Sequence, residues 1–178
     1  MMMKPTDRVL LQLLAAAINT QEPTFDKALS DPEWILVYGQ AAKQGVLAVV
    51  WESVRRLPSD LQPGRSLKLR WAYGAEQIVS RSKKQMREAT RFAALCADAG
   101  CRLILLKGIG LSRYYPVPLQ RECGDIDILL PEGFEIGNEI AKSHGMTISG
   151  LDYKHNHIYS NGIMFENHRY LTSFKGKN

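Results

Sequence analysis

The sequence has little cysteine and no long apolar run, and both shortages exclude classes of protein. Its cysteines are odd in number and form no C-x-x-C pair, so a disulfide framework is not indicated: they are Cys96, Cys101 and Cys123. Free thiols fit a reducing compartment, and we therefore expect a cytoplasmic protein. No segment is long and apolar enough to cross a membrane, which excludes a membrane-spanning protein.

The N-terminal 18 residues show some features of a secretory signal, namely a basic start, an apolar run and Ala15-Ala16-Ala17. Gln12 interrupts the run, however, and the apolar residues recur at helical spacing. We interpret the segment as an amphipathic helix of the folded protein.

Internal repeats, low-complexity tracts and a long basic tail are also lacking. The chain has 178 residues, of which 45% are hydrophobic, and this suits one large domain or two small ones. The net charge of +5 is compatible with nucleotide phosphates or another polyanionic partner, but it does not prove either.

Helical spacing dominates the first hundred residues, and short alternating patterns follow. Helices are predicted at about 7–19, 31–44, 46–56, 66–98 and 133–143, and strands near 103–106, 126–130, 146–151, 155–160 and 162–168. We therefore predict an α+β protein in which a helical region, residues 1–99, packs on a small mixed β-sheet formed by residues 100–178.

Two aspartates separated by one apolar residue, Asp125 and Asp127, are the most informative feature. Ile126 and Ile128 alternate with them as in a strand, so both carboxylates leave the same face with Cα atoms about 6–7 Å apart. Carboxylates this close repel each other unless a cation lies between them, and oxygen ligands with open positions suit Mg²⁺. A solvated strand edge or a pair of turn caps is the alternative interpretation.

An apolar run that ends in Lys107-Gly108 precedes this pair. Glycine lets the backbone approach a phosphate closely, and a following helix presents free N–H groups to it. Lys107 would add a positive charge. The alternative is purely structural, with Gly108 serving only a strand-to-helix turn and Lys107 solvated.

These segments, with Tyr114-Tyr115-Pro116 and Arg121, resemble the signature of an uncharacterised bacterial nucleotidyltransferase family within the DNA polymerase beta-like superfamily. The resemblance covers roughly residues 100 to 170. It implies that Asp125 and Asp127 bind Mg²⁺, or Mn²⁺ in its place, and that the turn at Gly108 contacts the phosphates of a nucleoside triphosphate. Lys107 and Arg121 would steady those phosphates. For Arg121, a structural ion pair with a nearby carboxylate is equally open.

The superfamily pattern includes a third acid on a later strand, for which Glu166 is the candidate. Residues 163–168 alternate as a strand, with Met164, Glu166 and His168 on one face, and family members carry a similar Glu-x-His. The resemblance implies that Glu166 is a metal ligand or the base for an attacking hydroxyl. An exposed strand glutamate is the alternative. The sequence departs from the superfamily at Ile109, where a small or hydroxyl residue is usual.

The activity implied is Mg²⁺-dependent nucleotidyl transfer to a hydroxyl of a protein, an RNA or a small molecule. A non-catalytic nucleotide- or RNA-binding module and a regulatory partner of toxin–antitoxin type remain alternatives. The resembling family continues beyond residue 178 with further helices, so we expect a truncated or naturally short form. Relief of charge repulsion predicts that replacing Asp125 or Asp127 with Asn leaves stability unchanged or slightly raised.

Histidines offer a rival metal site. His155 and His157 share a strand face, and with His168 and an aspartate they could bind zinc or manganese. Because H-x-H on a polar strand more often forms a hydrogen-bonding surface, the aspartate pair is the preferred metal site.

Overall fold

A computed structural model describes residues 3–24, 28–150 and 152–171. The helices are α1 Pro5–Ile18, α2 Asp31–Lys43, α3 Leu47–Val54, α4 Arg65–Asp98, α5 Ile109–Ser112 and α6 Phe134–Ser143, and the strands are β1 Ile104–Leu105, β2 Ile126–Leu129, β3 Thr147–Ser149, β4 His155–Ser160 and β5 Ile163–His168. The predicted α+β class is confirmed, although residue 151, the predicted end of one strand, lies outside the described residues. Within the described ranges, no helix has the length and apolarity required to span a membrane.

The chain divides into two compact units. The first comprises Met1–Ser82 and Ser112–Glu122, and the second comprises Lys83–Leu111 and Cys123–Asn178. The domain boundary expected from the sequence, between residues 99 and 100, falls after the end of α4, whereas the compact units divide inside that helix.

The first unit has an aromatic core built by helices. Trp34 from α2 and Trp71 from α4 are almost fully buried and meet edge to face, with ring centroids 6.2 Å apart. The indole N–H of Trp71 donates to the carbonyl of Leu47 at 2.9 Å, so its polar atom is satisfied within the core. α2 begins at a capping box, because the Ser30 N–H donates to the Glu33 carboxylate at 2.8 Å.

The second unit is built on a five-stranded mixed sheet in the order β1-β2-β5-β4-β3. β2 and β5 are parallel, and the other neighbours are antiparallel. Alternate residues of the central strands point into a core shared with α4 and α6, and the buried side chains include Ile126, Ile128, Ile158, Phe165 and Phe92. The residues between them therefore leave on the opposite face of the sheet.

A two-residue turn, Asn161-Gly162, joins β4 to β5. Both residues have positive φ, 50° and 75°, as the type I′ turn favoured in such hairpins requires. Asn-Gly is the strongest short-range hairpin signal, and it holds Ser160 opposite Ile163 in the ladder.

A buried carboxylate on α4 ties this hairpin to the helix. Glu88 accepts hydrogen bonds from Ser160 Oγ at 2.8 Å and from Asn161 Nδ2 at 3.0 Å. Arg91 Nε also donates to it at 3.2 Å. Burial raises the pKa of Glu88, but these hydrogen bonds and the Arg91 charge outweigh burial and hold the pKa below its ordinary value.

We expect Glu88→Gln to lower the free energy of unfolding at pH 7 by about 1–3 kcal/mol, because the buried network loses its negative charge and an NH2 donor replaces one of its two acceptor oxygens. A lowered native pKa stabilises the fold above the ordinary pKa of 4.5, and this contribution disappears as the pH falls through the native value. Urea unfolding at pH 7 and near pH 3.5 should therefore show the difference from wild type shrinking in acid.

Glu139→Gln, on the exposed face of α6, is the matched control for this experiment and should stay within about 0.5 kcal/mol of wild type. A Glu88→Gln deficit of the same size at both pH values would contradict an ionised Glu88.

Candidate active site

The carboxylates of Asp125 and Asp127 lie at the start of β2. Because Ile126 and Ile128 are buried in the core, Asp127 leaves from the opposite face of the sheet. Its carboxylate is nevertheless only 2% exposed. Asp125 precedes the strand and is half-buried.

Glu166 is the neighbour of Asp127 across the parallel β2–β5 pair. Burial raises the pKa of Glu166, and a hydrogen bond with Asp125 and the charges of Asp125 and Asp127 raise it further, against an opposing effect of His155. The structure therefore brings together the three predicted carboxylates, which we call the carboxylate site.

Asp127 already has two hydrogen-bond donors. Its Oδ1 lies 2.8 Å from Lys107 Nζ and 2.9 Å from His168 Nε2. Burial raises the pKa of Asp127, but hydrogen bonds from Lys107 and then His168 outweigh it and lower the pKa below its ordinary value. Asp127 is therefore held in its ionised form, whereas the environment of Glu166 favours the protonated form.

Lys107 reaches Asp127 because the backbone is anchored beside it. The N–H of Leu106 donates to the Asp127 carbonyl at 3.0 Å, which places the next side chain over the carboxylate. The hydrogen bond with Asp127 raises the pKa of Lys107. Its side chain is 59% exposed and can reach other partners. Its predicted contact with phosphate stays a prediction.

The Gly108 turn also lies against the aspartates. Gly108 has a φ of +51°, which favours glycine, and a Cβ there would lie 3.9 Å from Asp127 Oδ2. The following helix, α5, is only four residues long. Ile109 is buried and packs in the core of this unit. A Cβ at Gly110 would lie 3.1 Å from the Leu105 carbonyl, so Gly110 permits the close approach to β1.

Arg121 belongs to the first unit, where it follows the 3-10 turn Pro118–Gln120. Its guanidinium carbon lies 5.8 Å from the centroid of the Tyr115 ring, a cation–π contact. Its predicted role in phosphate binding stays a prediction.

His168 is the member of this cluster whose role the sequence analysis missed. It was assigned to the rival histidine site, yet its Nε2 contacts Asp127 and lies 3.3 Å from Glu166 Oε2. The alternation of residues along β5 places His168 and Glu166 on one face, and this pattern was the sequence signal that could have predicted that His168 lies at the carboxylate site. The hydrogen bond between His168 and Asp127 could not be predicted in this way, because it depends on the pairing of β2 with β5.

The donor atoms could hold a metal in two ways. One set comprises Asp127, Glu166 and His168, and the other comprises His155, His157 and Glu166; within each set the candidate ligand atoms lie within 4.8 Å of one another. The first set, with Asp125 beside it, is rich in carboxylate oxygens and fits Mg²⁺ or Mn²⁺.

An α+β chain with a five-stranded mixed sheet is consistent with a nucleotidyltransferase-type fold. A family model described as an uncharacterised nucleotidyltransferase matches residues 30–177. The match spans most of the chain, so the protein belongs to this nucleotidyltransferase family. No curated protein and no solved structure is significantly similar to it.

Removing the charge of Asp127 and removing that of Glu166 should change the free energy of unfolding in opposite directions when EDTA keeps metal ions away. Asp127→Asn should lower the free energy of unfolding at pH 7 by about 1–3 kcal/mol, because Lys107 and His168 lose a charged acceptor. This revises the expectation from the sequence, which considered only repulsion between carboxylates. Glu166→Gln should raise stability slightly, because the raised pKa shows that the charged form is disfavoured in the fold.

The sign of this second effect can be checked by changing the pH. A raised native pKa means that the folded state binds the proton more tightly than the unfolded state, so wild type recovers stability as the pH falls through that pKa. Thermal melts in EDTA should show the advantage of Glu166→Gln at pH 7.5 and its loss near pH 4. A destabilised Glu166→Gln at pH 7.5 would contradict this account.

Proposed function

We propose that the chain transfers a nucleotidyl group from a nucleoside triphosphate to a hydroxyl, with Mg²⁺ held by Asp125 and Asp127. The observation that carries the proposal is the placement of Asp127 and Glu166 as neighbours on parallel strands, with Asp125 directly before β2. Acidic groups this close are costly unless they share a proton or a cation. Mg²⁺ suits their oxygen ligands, and Mn²⁺ accepts the same set.

Glu166 is the base in this proposal. A carboxylate oxygen of Glu166 takes the proton of the acceptor hydroxyl while the hydroxyl oxygen bonds to the α-phosphorus. The bond between the α-phosphorus and its bridging oxygen breaks, and diphosphate leaves. A raised pKa suits this role, because a base is most effective when its pKa approaches the operating pH. When bound, Mg²⁺ would supply positive charge against the charge that develops on the phosphates.

Lys107 and Gly108 contact the phosphates of the nucleoside triphosphate in this proposal. The lysine ammonium stands on a flexible and largely exposed stem, so it can leave Asp127 for a phosphate when a metal ion takes its place. Gly108 has no side chain to block the backbone of the turn. Arg121 enters the proposal on the family pattern alone, as a further phosphate contact.

We further propose that the family belongs to the DNA polymerase beta-like superfamily and that the reaction occurs in the cytoplasm. The order of the motifs supports the first point, since a glycine turn is followed by an acidic pair and then by a third acid on a later strand. Three free thiols, Cys96, Cys101 and Cys123, support the second. The acceptor is a protein, an RNA or a small molecule.

The test is a transfer assay with each α-labelled nucleoside triphosphate, in Mg²⁺ and in EDTA, offering the chain itself, an RNA pool and a metabolite extract as acceptors. Wild type should transfer label and release diphosphate only with the metal. Asp125→Asn and Asp127→Asn should each lose about 100-fold or more, because the ion loses a charged ligand. Glu139→Gln, an exposed carboxylate on α6, should transfer label at the wild-type rate.

Binding and turnover can be separated in the same samples. Mg²⁺ with a nucleotide should raise the melting temperature of wild type and not that of the aspartate variants, because only a ligand of the native state shifts the melt. A metal-dependent shift without transfer or diphosphate release would favour the non-catalytic binding module. Transfer that persists in both aspartate variants would overturn the proposed site.

A further inference from the structure

A second group of side chains with possible metal-ligand atoms lies beside the carboxylate site on the same face of the sheet. His155 and His157 alternate along β4 and so leave on one side. In the antiparallel β4–β5 pair, His157 lies opposite Glu166 and His155 lies opposite His168. The Nε2 atoms of His155 and His157 are each 3.9 Å from Glu166 Oε1.

These separations are too long for hydrogen bonds and suit an ion between the groups. Hydrogen bonds from nitrogen to oxygen are about 2.7–3.2 Å long. Two ligands at about 2.0–2.1 Å from a tetrahedral zinc ion are about 3.4 Å apart. Small side-chain rotations would therefore bring His155, His157 and Glu166 to ligand distance. At 26% and 29% exposure, the two imidazoles are also partly shielded from water.

The two carboxylate oxygens of Glu166 face different histidines. Its Oε1 faces the two histidines of β4, whereas its Oε2 lies 3.3 Å from His168 on the side of Asp127. The oxygen that faces the histidines is therefore not the one that faces His168 and Asp127.

The backbone at Gly150 packs against one edge of the His157 ring. A Cβ at Gly150 would lie only 2.8 Å from His157 Nδ1, so the glycine backbone packs against that edge of the ring. Ser149, directly before it, pairs with His157 in the β3–β4 ladder. With Nδ1 against the backbone, Nε2 is directed towards Glu166.

We propose that His155, His157 and Glu166 form a second metal site that takes a transition ion of the Zn²⁺ class, and we call it the histidine site. Imidazole nitrogen suits Zn²⁺, Co²⁺ and Ni²⁺, whereas Mg²⁺ prefers oxygen. Three protein ligands leave an open coordination position. The histidine site shares Glu166 with the carboxylate site but needs no nucleotide or acceptor, so it goes beyond the proposed function.

The test is calorimetric titration of the whole chain with Zn²⁺ in excess Mg²⁺, which occupies the oxygen-rich ligands. A Cys101→Ser background removes the half-buried thiol as a competing ligand. Wild type in this background should bind one Zn²⁺. His155→Gln and His157→Gln should each weaken binding by about 100-fold or more, since loss of an outer-shell partner alone costs 10–100-fold.

His144→Gln is the matched control, because His144 lies at the end of α6 and its Nδ1 contacts the Ile140 carbonyl at 2.8 Å. It should bind Zn²⁺ like the parent protein. Co²⁺ absorption gives an independent readout: its visible bands should indicate nitrogen ligands and vanish in the double variant His155→Gln/His157→Gln. Circular dichroism in EDTA should show that this variant is folded.

Asp127→Asn separates this inference from the proposed function. It should abolish nucleotidyl transfer while keeping the Co²⁺ spectrum, because Asp127 is not a ligand of the histidine site. Wild-type affinity in both single histidine variants, an equal loss in His144→Gln, or no Zn²⁺ binding in excess Mg²⁺ would each overturn the histidine site. These outcomes are read from metal binding alone and do not depend on nucleotidyl transfer activity.

Discussion

The parallel register between β2 and β5 is the constraint on which the rest of the candidate site depends. It sets Ile126 opposite Phe165 in the core and Asp127 opposite Glu166 on the other face. Because side chains alternate with a period of two, a slip of β2 by one residue would carry Asp127 into the apolar core and expose Ile126 and Ile128. The hydrophobic effect therefore holds the two acids side by side, and their chemistry follows from that placement.

Acids this close repel each other, and the surroundings compensate the charge of Asp127 but not that of Glu166. Asp127 is compensated by Lys107 and His168, which keep it ionised although it is almost completely buried. Glu166 shares a hydrogen bond with Asp125, and its surroundings favour the protonated form. Two neighbouring acids thereby have different properties, and active sites commonly separate the roles of two acids in this way. Lys107 provides the positive charge that faces Asp127.

The hairpin extends this arrangement to a third strand. The Asn161-Gly162 turn sets the β4–β5 register, and Glu88 fastens the end of the hairpin to α4. That register places His157 next to Glu166 and so continues the row of polar groups that begins at Asp127. A buried ionic network at the end of the hairpin thus helps to position the candidate metal ligands on the other face of the sheet. This connects the stability of the hairpin to the geometry of both candidate metal sites.

Much of this could be predicted from local patterns alone. Alternation around Asp125, Asp127 and Glu166 predicted strands with polar faces, and helical spacing predicted the long helices, because each pattern reports on neighbours in the chain. The parallel pairing of β2 with β5, the contacts of Lys107 and His168 with Asp127, and the division of the units inside α4 were decided by tertiary packing. A local sequence period predicts the face of the strand from which a side chain projects. It does not predict which distant strand lies beside it, because strand pairing depends on how the apolar faces pack into a common core.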